Sequence, residues 1–196
     1  MSFYTGTQAE VLFSGPPANY AAAAASSSAA QSLVTGATGN YQQPLLPGGF
    51  FQEGRTNQLV RVTFSGVLAG QGSATTAIFT AGLNTAANTI GGSTLAAVNA
   101  LTVTSFASGA FFGEFLIQNR GSGYGTSSVS TNLLTGGYAA VQNGSTTGGA
   151  MALAVPTALQ TIDFSVNQWL YLTATFSTSS TSNSATLEQL VVYGEN

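Results

Sequence analysis

The feature that most restricts the fold of this chain is a two-residue alternation, clearest towards its C-terminal end. Leu170, Leu172, Ala174 and Phe176 alternate with Tyr171, Thr173, Thr175 and Ser177. Successive side chains on a strand point to opposite faces, so this spacing belongs to a strand with one face in a core. Ile162, Phe164 and Val166 repeat it against Asp163, Ser165 and Asn167, and residues 185–193 form another strand after the polar loop 178–184. The last two strands and their loop read as a hairpin.

Upstream, Val60, Val62, Phe64 and Leu68 share one face while Arg61, Thr63 and Ser65 take the other. Further strands are expected over 74–83 and 101–106. In 111–118, Phe111, Phe115 and Ile117 face one way and Phe112, Glu114 and Leu116 the other, the pattern of a strand covered on both sides. Weaker patterns lie at 129–134, 138–142 and 151–155. About eight to ten short strands with Gly, Ser and Asn turns predict an all-β protein, an antiparallel β-sandwich or barrel. The immunoglobulin Cys–Trp–Cys pattern is absent, as is any fixed-period repeat.

What the chain lacks narrows its chemistry. Its 196 residues hold six carboxylates and three cations, all arginine (Arg55, Arg61 and Arg120), with no His and no Cys. That removes the Ser–His and Cys–His nucleophile pairs, the Schiff-base lysine and the Cys/His zinc sites. A hydrophobic content of 44%, with 12 Phe and 7 Tyr, is ample for a core. With 5% charged residues, the surface is left to Ser, Thr, Asn, Gln and Gly. Such a surface repels copies of itself weakly and suits a chain packed against neighbours. A net charge of −3 argues against nucleic acid as a partner, since three cations cannot neutralise a run of phosphates. No uninterrupted apolar run approaches the ~18 residues of a membrane span, so no membrane partner is expected. The Ala run at 21–25 has no basic segment before it and breaks into Ser26, so a signal peptide is not expected. A chain without Cys fits assembly in a reducing cytosol.

Composition changes near residue 50. Residues 1–49 hold one charge, Glu10, with Pro16, Pro17, Pro44 and Pro47, and read as a small-residue N-terminal arm; 50–196 reads as the β-sandwich domain. Asn19 as N-cap, the Ala tract and Gly36 as C′ residue support a short helix over 20–34. Ser26, Ser27 and Ser28 and the lack of an apolar stripe support an extended arm instead.

The six carboxylates are Glu10, Glu53, Glu114, Asp163, Glu188 and Glu195. Glycoside hydrolysis needs two of them flanking a sugar, and Glu114, Asp163 and Glu188 lie on strands that could converge. They are scattered singly, however, and read as structural. Gly121-Ser122-Gly123-Tyr124-Gly125 lacks the following helix of a dinucleotide loop and reads as a connection. Trp169, the single tryptophan, reads as a filler of the sandwich end or an intersubunit contact, with sugar stacking the alternative. No catalytic, cofactor or metal residue is assigned.

The segment from Trp169 to Tyr193, a tryptophan-led strand, a Ser/Asn/Ala loop and a final apolar strand, resembles the end of small jelly-roll virion proteins of tailed bacteriophages. Gln58-Leu59-Val60-Arg61-Val62-Thr63-Phe64 is similar to their opening strand, and Leu46-Pro47-Gly48-Gly49-Phe50-Phe51 to its entry. The resemblance covers 44–196. It implies a jelly roll, frequently a homotrimer, acting as a capsid decoration or cement protein on the major capsid protein, made in the host cytoplasm and placed on the capsid surface. It carries over no catalytic residue. On this reading the arm grips neighbours and the domain folds without it. The alternatives are a tail-fibre or receptor-binding tip using Tyr124, Tyr138 and Trp169, a glycan-degrading enzyme, and a bacterial surface or spore-coat subunit.

Overall fold

In the computed structural model, the described residues are 9–15, 23–24, 29–34, 43–50, 59–70, 75–87, 89–119, 129–130, 133–143, 149–156 and 162–195. Every regular element among them is a strand. In chain order they are β1 (Ala9–Gly15), β2 (Ala23–Ala24), β3 (Gln31–Ser32), β4 (Leu45–Leu46), β5 (Leu59–Gly70), β6 (Thr76–Asn84), β7 (Ser93–Val98) and β8 (Leu101–Thr102). There follow β9 (Phe106–Asn119), β10 (Val129–Ser130), β11 (Leu133–Asn143), β12 (Gly149–Pro156), β13 (Ile162–Asp163), β14 (Gln168–Phe176) and β15 (Ser184–Glu195).

The neighbours run β1-β15-β5-β9-β11-β12-β7-β6-β14-β3, with β10 and β13 as a separate pair. All the pairings are antiparallel, and the sheet doubles over at β12. Ala150, Met151, Ala152 and Leu153 pair with β11, whereas Ala154, Val155 and Pro156 pair with β7. One strand thus belongs to both faces, and the curled sheet closes on itself as the expected all-β, jelly-roll-like sandwich. We call β1, β15, β5, β9 and β11 the front sheet, and β7, β6, β14 and β3 the back sheet.

The core lies between them and follows the alternation. Val60, Val62 and Phe64 of β5 and Phe111, Phe115 and Ile117 of β9 meet Phe79 of β6 and Leu170, Leu172 and Phe176 of β14. Phe79 stacks on Phe111 across the sandwich at 4.8 Å between centroids, and Phe64 on Phe115 within the front sheet at 5.4 Å. Offset ring pairs of this kind add about 0.5–1.5 kcal/mol to the burial itself. The cluster closes because Gly113 lies opposite Phe64 in the β5–β9 register. A Cβ there would stand 2.4 Å from Phe64 Cζ, so only glycine lets the ring lie flat across its neighbour.

Four expectations are corrected. First, β14 and β15 are not a hairpin: β14 pairs with β6 in the back sheet and β15 with β5 in the front sheet. Residues 177–183 arch between the sheets, held by Asn183 Nδ2 donating to Thr178 O at 2.8 Å and Ser177 N to Thr76 O at 2.9 Å. Second, the 101–106 strand breaks at a turn where Ser105 takes φ 58°, so β8 ends at Thr102 and Phe106 begins β9. Third, the 162–167 alternation stops after Asp163, whose carboxylate accepts hydrogen bonds from Ser165 N and Oγ at 2.8 and 2.6 Å. This local turn competes successfully with continued strand. Fourth, the outer face of β9 is not fully covered, and Phe112 is exposed.

The described parts of 1–49 are extended and add to the sandwich edges. β1 and β2 pair with β15, β3 and β4 with β14. Of the residues 20–34 where a helix was one option, 23–24 and 31–32 are strand; 20–22 and 25–28 lie outside the described residues. Leu33, Val34 and Leu46 are fully buried in the same core as Val60 and Phe64. The composition break near residue 50 is therefore not a packing boundary.

Candidate functional site

The strand that joins the two faces also carries the two most exposed large apolar side chains among the described residues. On β12, Ala150, Ala152 and Ala154 pack inward against the core, and Met151, Leu153 and Val155 point outward, 69%, 66% and 50% exposed. The register sets Met151 beside Ala140 and Ala140 beside Phe112, which is also exposed, and Leu153 beside Tyr138. Leu134 adds a further exposed side chain on β11. No charged residue occurs in β12. Scattered exposed leucines need no explanation, but here successive outward positions of one strand are all large and apolar and form one exposed strip. Behind the strip, Thr135 Oγ1 of β11 donates to the Leu95 carbonyl of β7 at 2.7 Å, a buried tie across the fold at this corner.

Further across the front sheet, beyond β11, lies a charged group. Arg61 of β5 faces two carboxylates diagonally, Glu195 with Nε–Oε1 3.1 Å and Glu114 with Nη1–Oε2 3.9 Å. The Nε contact is an ion pair rather than a hydrogen bond, and Nη2 donates to Glu195 Oε2 at 3.5 Å. These are diagonal cross-strand neighbours at partly exposed positions, worth about 0–1 kcal/mol per pair.

The outer face of the back sheet differs in character. Two register rows cross it: Ala97, Thr80 and Thr173 in one; Thr94, Gly82 and Tyr171 in the next. Gly82 leaves a dip into which the Tyr171 ring leans, since a Cβ on Gly82 would stand 2.1 Å from the Tyr171 hydroxyl oxygen. That hydroxyl lies 3.2 Å from Thr94 Oγ1. A cavity of about 520 Å³ opens here, walled by Ile90 and Gly91 of the β6–β7 loop and by Ala30 of the N-terminal segment. The loop is held by Asn84, whose Nδ2 donates to the Gly91 carbonyl and whose Oδ1 accepts from Ala86 N.

The acidic residues considered for catalysis do not converge. Glu114 pairs with Arg61; Asp163 closes its own turn in the β10–β13 pair; Glu188 is the extra residue of a bulge in β15 and is exposed. Glu195, which no spacing along the chain groups with Glu114, shares its arginine. Among the described residues no three acidic side chains assemble in a way that could hold a metal. Of the aromatics considered for a receptor, Tyr138 is half-buried on the front sheet and Trp169 sits opposite Asn84 on the back sheet. Tyr124, with Gly121-Ser122-Gly123-Tyr124-Gly125, lies outside the described residues, as do Arg55, Arg120 and Glu53.

These features define a class, an antiparallel β-sandwich whose notable surfaces are an uncharged apolar corner and a hydroxyl-lined pocket. Comparison with protein-family models and with curated proteins returns no match.

Proposed function

We propose that this protein is a structural component of a phage virion, a capsid decoration or cement protein that self-associates, as a homotrimer, and binds the major capsid protein. The observation that carries this reading is the exposed Met151–Leu153–Val155 strip on an otherwise weakly charged sandwich. Covering large apolar side chains yields about 25 cal/mol per Å², and few charges oppose the approach of a second copy. In this mechanism the β12 corners of neighbouring copies meet, and the remaining polar surface rests on the shell. The described parts of the N-terminal segment pair with the protein's own edges, and in this reading the sandwich surface makes the shell contact. The jelly-roll-like fold and the resemblance to phage virion proteins support the same reading.

The test is quantitative mass spectrometry of purified particles from the encoding source. Near-parity with the major shell subunit is expected; absence from the particles contradicts the proposal. A copy number far below parity would move the protein to the tail. That second reading, a receptor-binding tip, draws on the back-sheet pocket.

A further inference from the structure

We infer that the back-sheet pocket is a binding site for a neutral saccharide. This inference rests on the pocket's own chemistry and does not depend on the virion reading. The cavity, about 520 Å³, falls within the range of small-ligand sites. Among the described lining residues the side-chain polar groups are all hydroxyls, those of Thr80, Thr94, Thr173 and Tyr171, and none of these residues is charged. An anionic ligand would find no counter-ion there and a cationic one no carboxylate, and burying either charge unpaired is costly. A polyhydroxylated neutral molecule meets the opposite situation. Hydroxyls both donate and accept, so they pair with sugar hydroxyls in either sense. Ile90 and Ala97 offer apolar surface to the sugar's C–H faces.

The pocket is also built rather than incidental. Gly82 is the one position in its row without a side chain, and the Tyr171 ring leans into the space so created. Gly91 and Gly92, at φ 93° and 112°, turn the β6–β7 loop so that Ile90 forms a wall. Ala30 supplies another wall from a segment held on β14 by the Thr173–Ser32 and Ala174–Gln31 pairings. Trp169 follows on the same outward face of β14, one register row beyond Tyr171. That position puts an aromatic residue, the usual partner of a sugar's C–H face, one row from the pocket in the direction a longer saccharide would extend.

The experiment is a titration followed by amide ¹H–¹⁵N correlation spectra. The probes are methyl glucoside, methyl galactoside, N-acetylglucosamine and their oligomers, with glucuronate as an anionic control. We expect saturable shifts at Thr80, Thr94, Ala97 and Thr173 for at least one neutral sugar, with a dissociation constant of about 1 mM, and none for glucuronate. Thr80→Val and Thr173→Val remove hydroxyls at nearly constant volume. Together they should weaken binding about tenfold or more. Thr80→Val alone, at a half-buried position, serves if the pair perturbs the fold, with several-fold weaker binding expected. No saturable shift at these residues with any neutral sugar overturns the inference. So does glucuronate binding as tightly as its neutral counterpart, or binding that the folded valine variants leave unchanged.

Discussion

The two lateral corners of this sandwich are finished in opposite ways. At one, β14 and β15 lie in different sheets joined by the 177–183 arch, and the chain's own N-terminal segment seals both edges, burying Leu33, Val34 and Leu46. At the other, β12 alone crosses from sheet to sheet, satisfies both neighbours' backbones, and leaves Met151, Leu153 and Val155 in solvent. The hydrogen-bonding problem is solved at both corners. Large apolar side chains stay exposed in succession only at the second, which is the surface we propose another copy covers.

The comparison can be broken most severely at the sealed corner. Deleting residues 2–43 removes β1, β2, β3, Leu33 and Val34, and should abolish cooperative thermal unfolding. Each lost aliphatic side chain of this kind is worth about 2–5 kcal/mol, against a total stability of about 5–15 kcal/mol. A deletion variant that melts like the full chain would mean the segment is an independent arm after all. Leu33→Ala alone should cost about 2–5 kcal/mol in a denaturant titration. At the open corner, Thr135→Val removes the buried bond to the Leu95 carbonyl and should cost about 1 kcal/mol by the same measurement. Arg61→Gln should change stability by no more than about 1 kcal/mol, because its carboxylate partners are partly solvated. For the dissociated protomer, below the concentration at which copies associate, the smallest effect on stability, within about 0.5 kcal/mol, is expected for serine at Met151 or Leu153, since these side chains make little contact within one copy.

The sequence disclosed strands and faces well and neighbours poorly, for a physical reason. Alternation records which side of a strand meets the core, so Val60, Val62, Phe64, Leu170, Leu172 and Phe176 were all read correctly as inward. It carries no record of which strand lies alongside, and β14 and β15 have the same pattern whether paired as a hairpin or set in opposite sheets. Turns made by side chains were equally hidden. Asp163 closing on Ser165 cuts short a run whose apolar spacing continues through Phe164 and Val166, and Ser105 at positive φ parts Leu101 and Val103 from Phe106. The apolar strip was present in 151–155 as a weak strand pattern, but its outward face became evident only once Ala150, Ala152 and Ala154 were seen to take the core side. The pocket was not legible at all, because it depends on Gly82 and Tyr171, 89 residues apart, falling into register. The same holds for Arg61 and Glu195, joined across 134 residues.

The proposed cover of the β12 corner is another copy of this chain. Sedimentation velocity over a concentration series tests it directly, comparing the natural protein with a Met151→Ser, Leu153→Ser, Val155→Ser triple variant. A self-associated species is expected for the natural protein, a trimer of the 19.7 kDa chain, and a folded monomer for the variant. A natural protein that stays monomeric throughout, or a variant that associates as strongly, would contradict it.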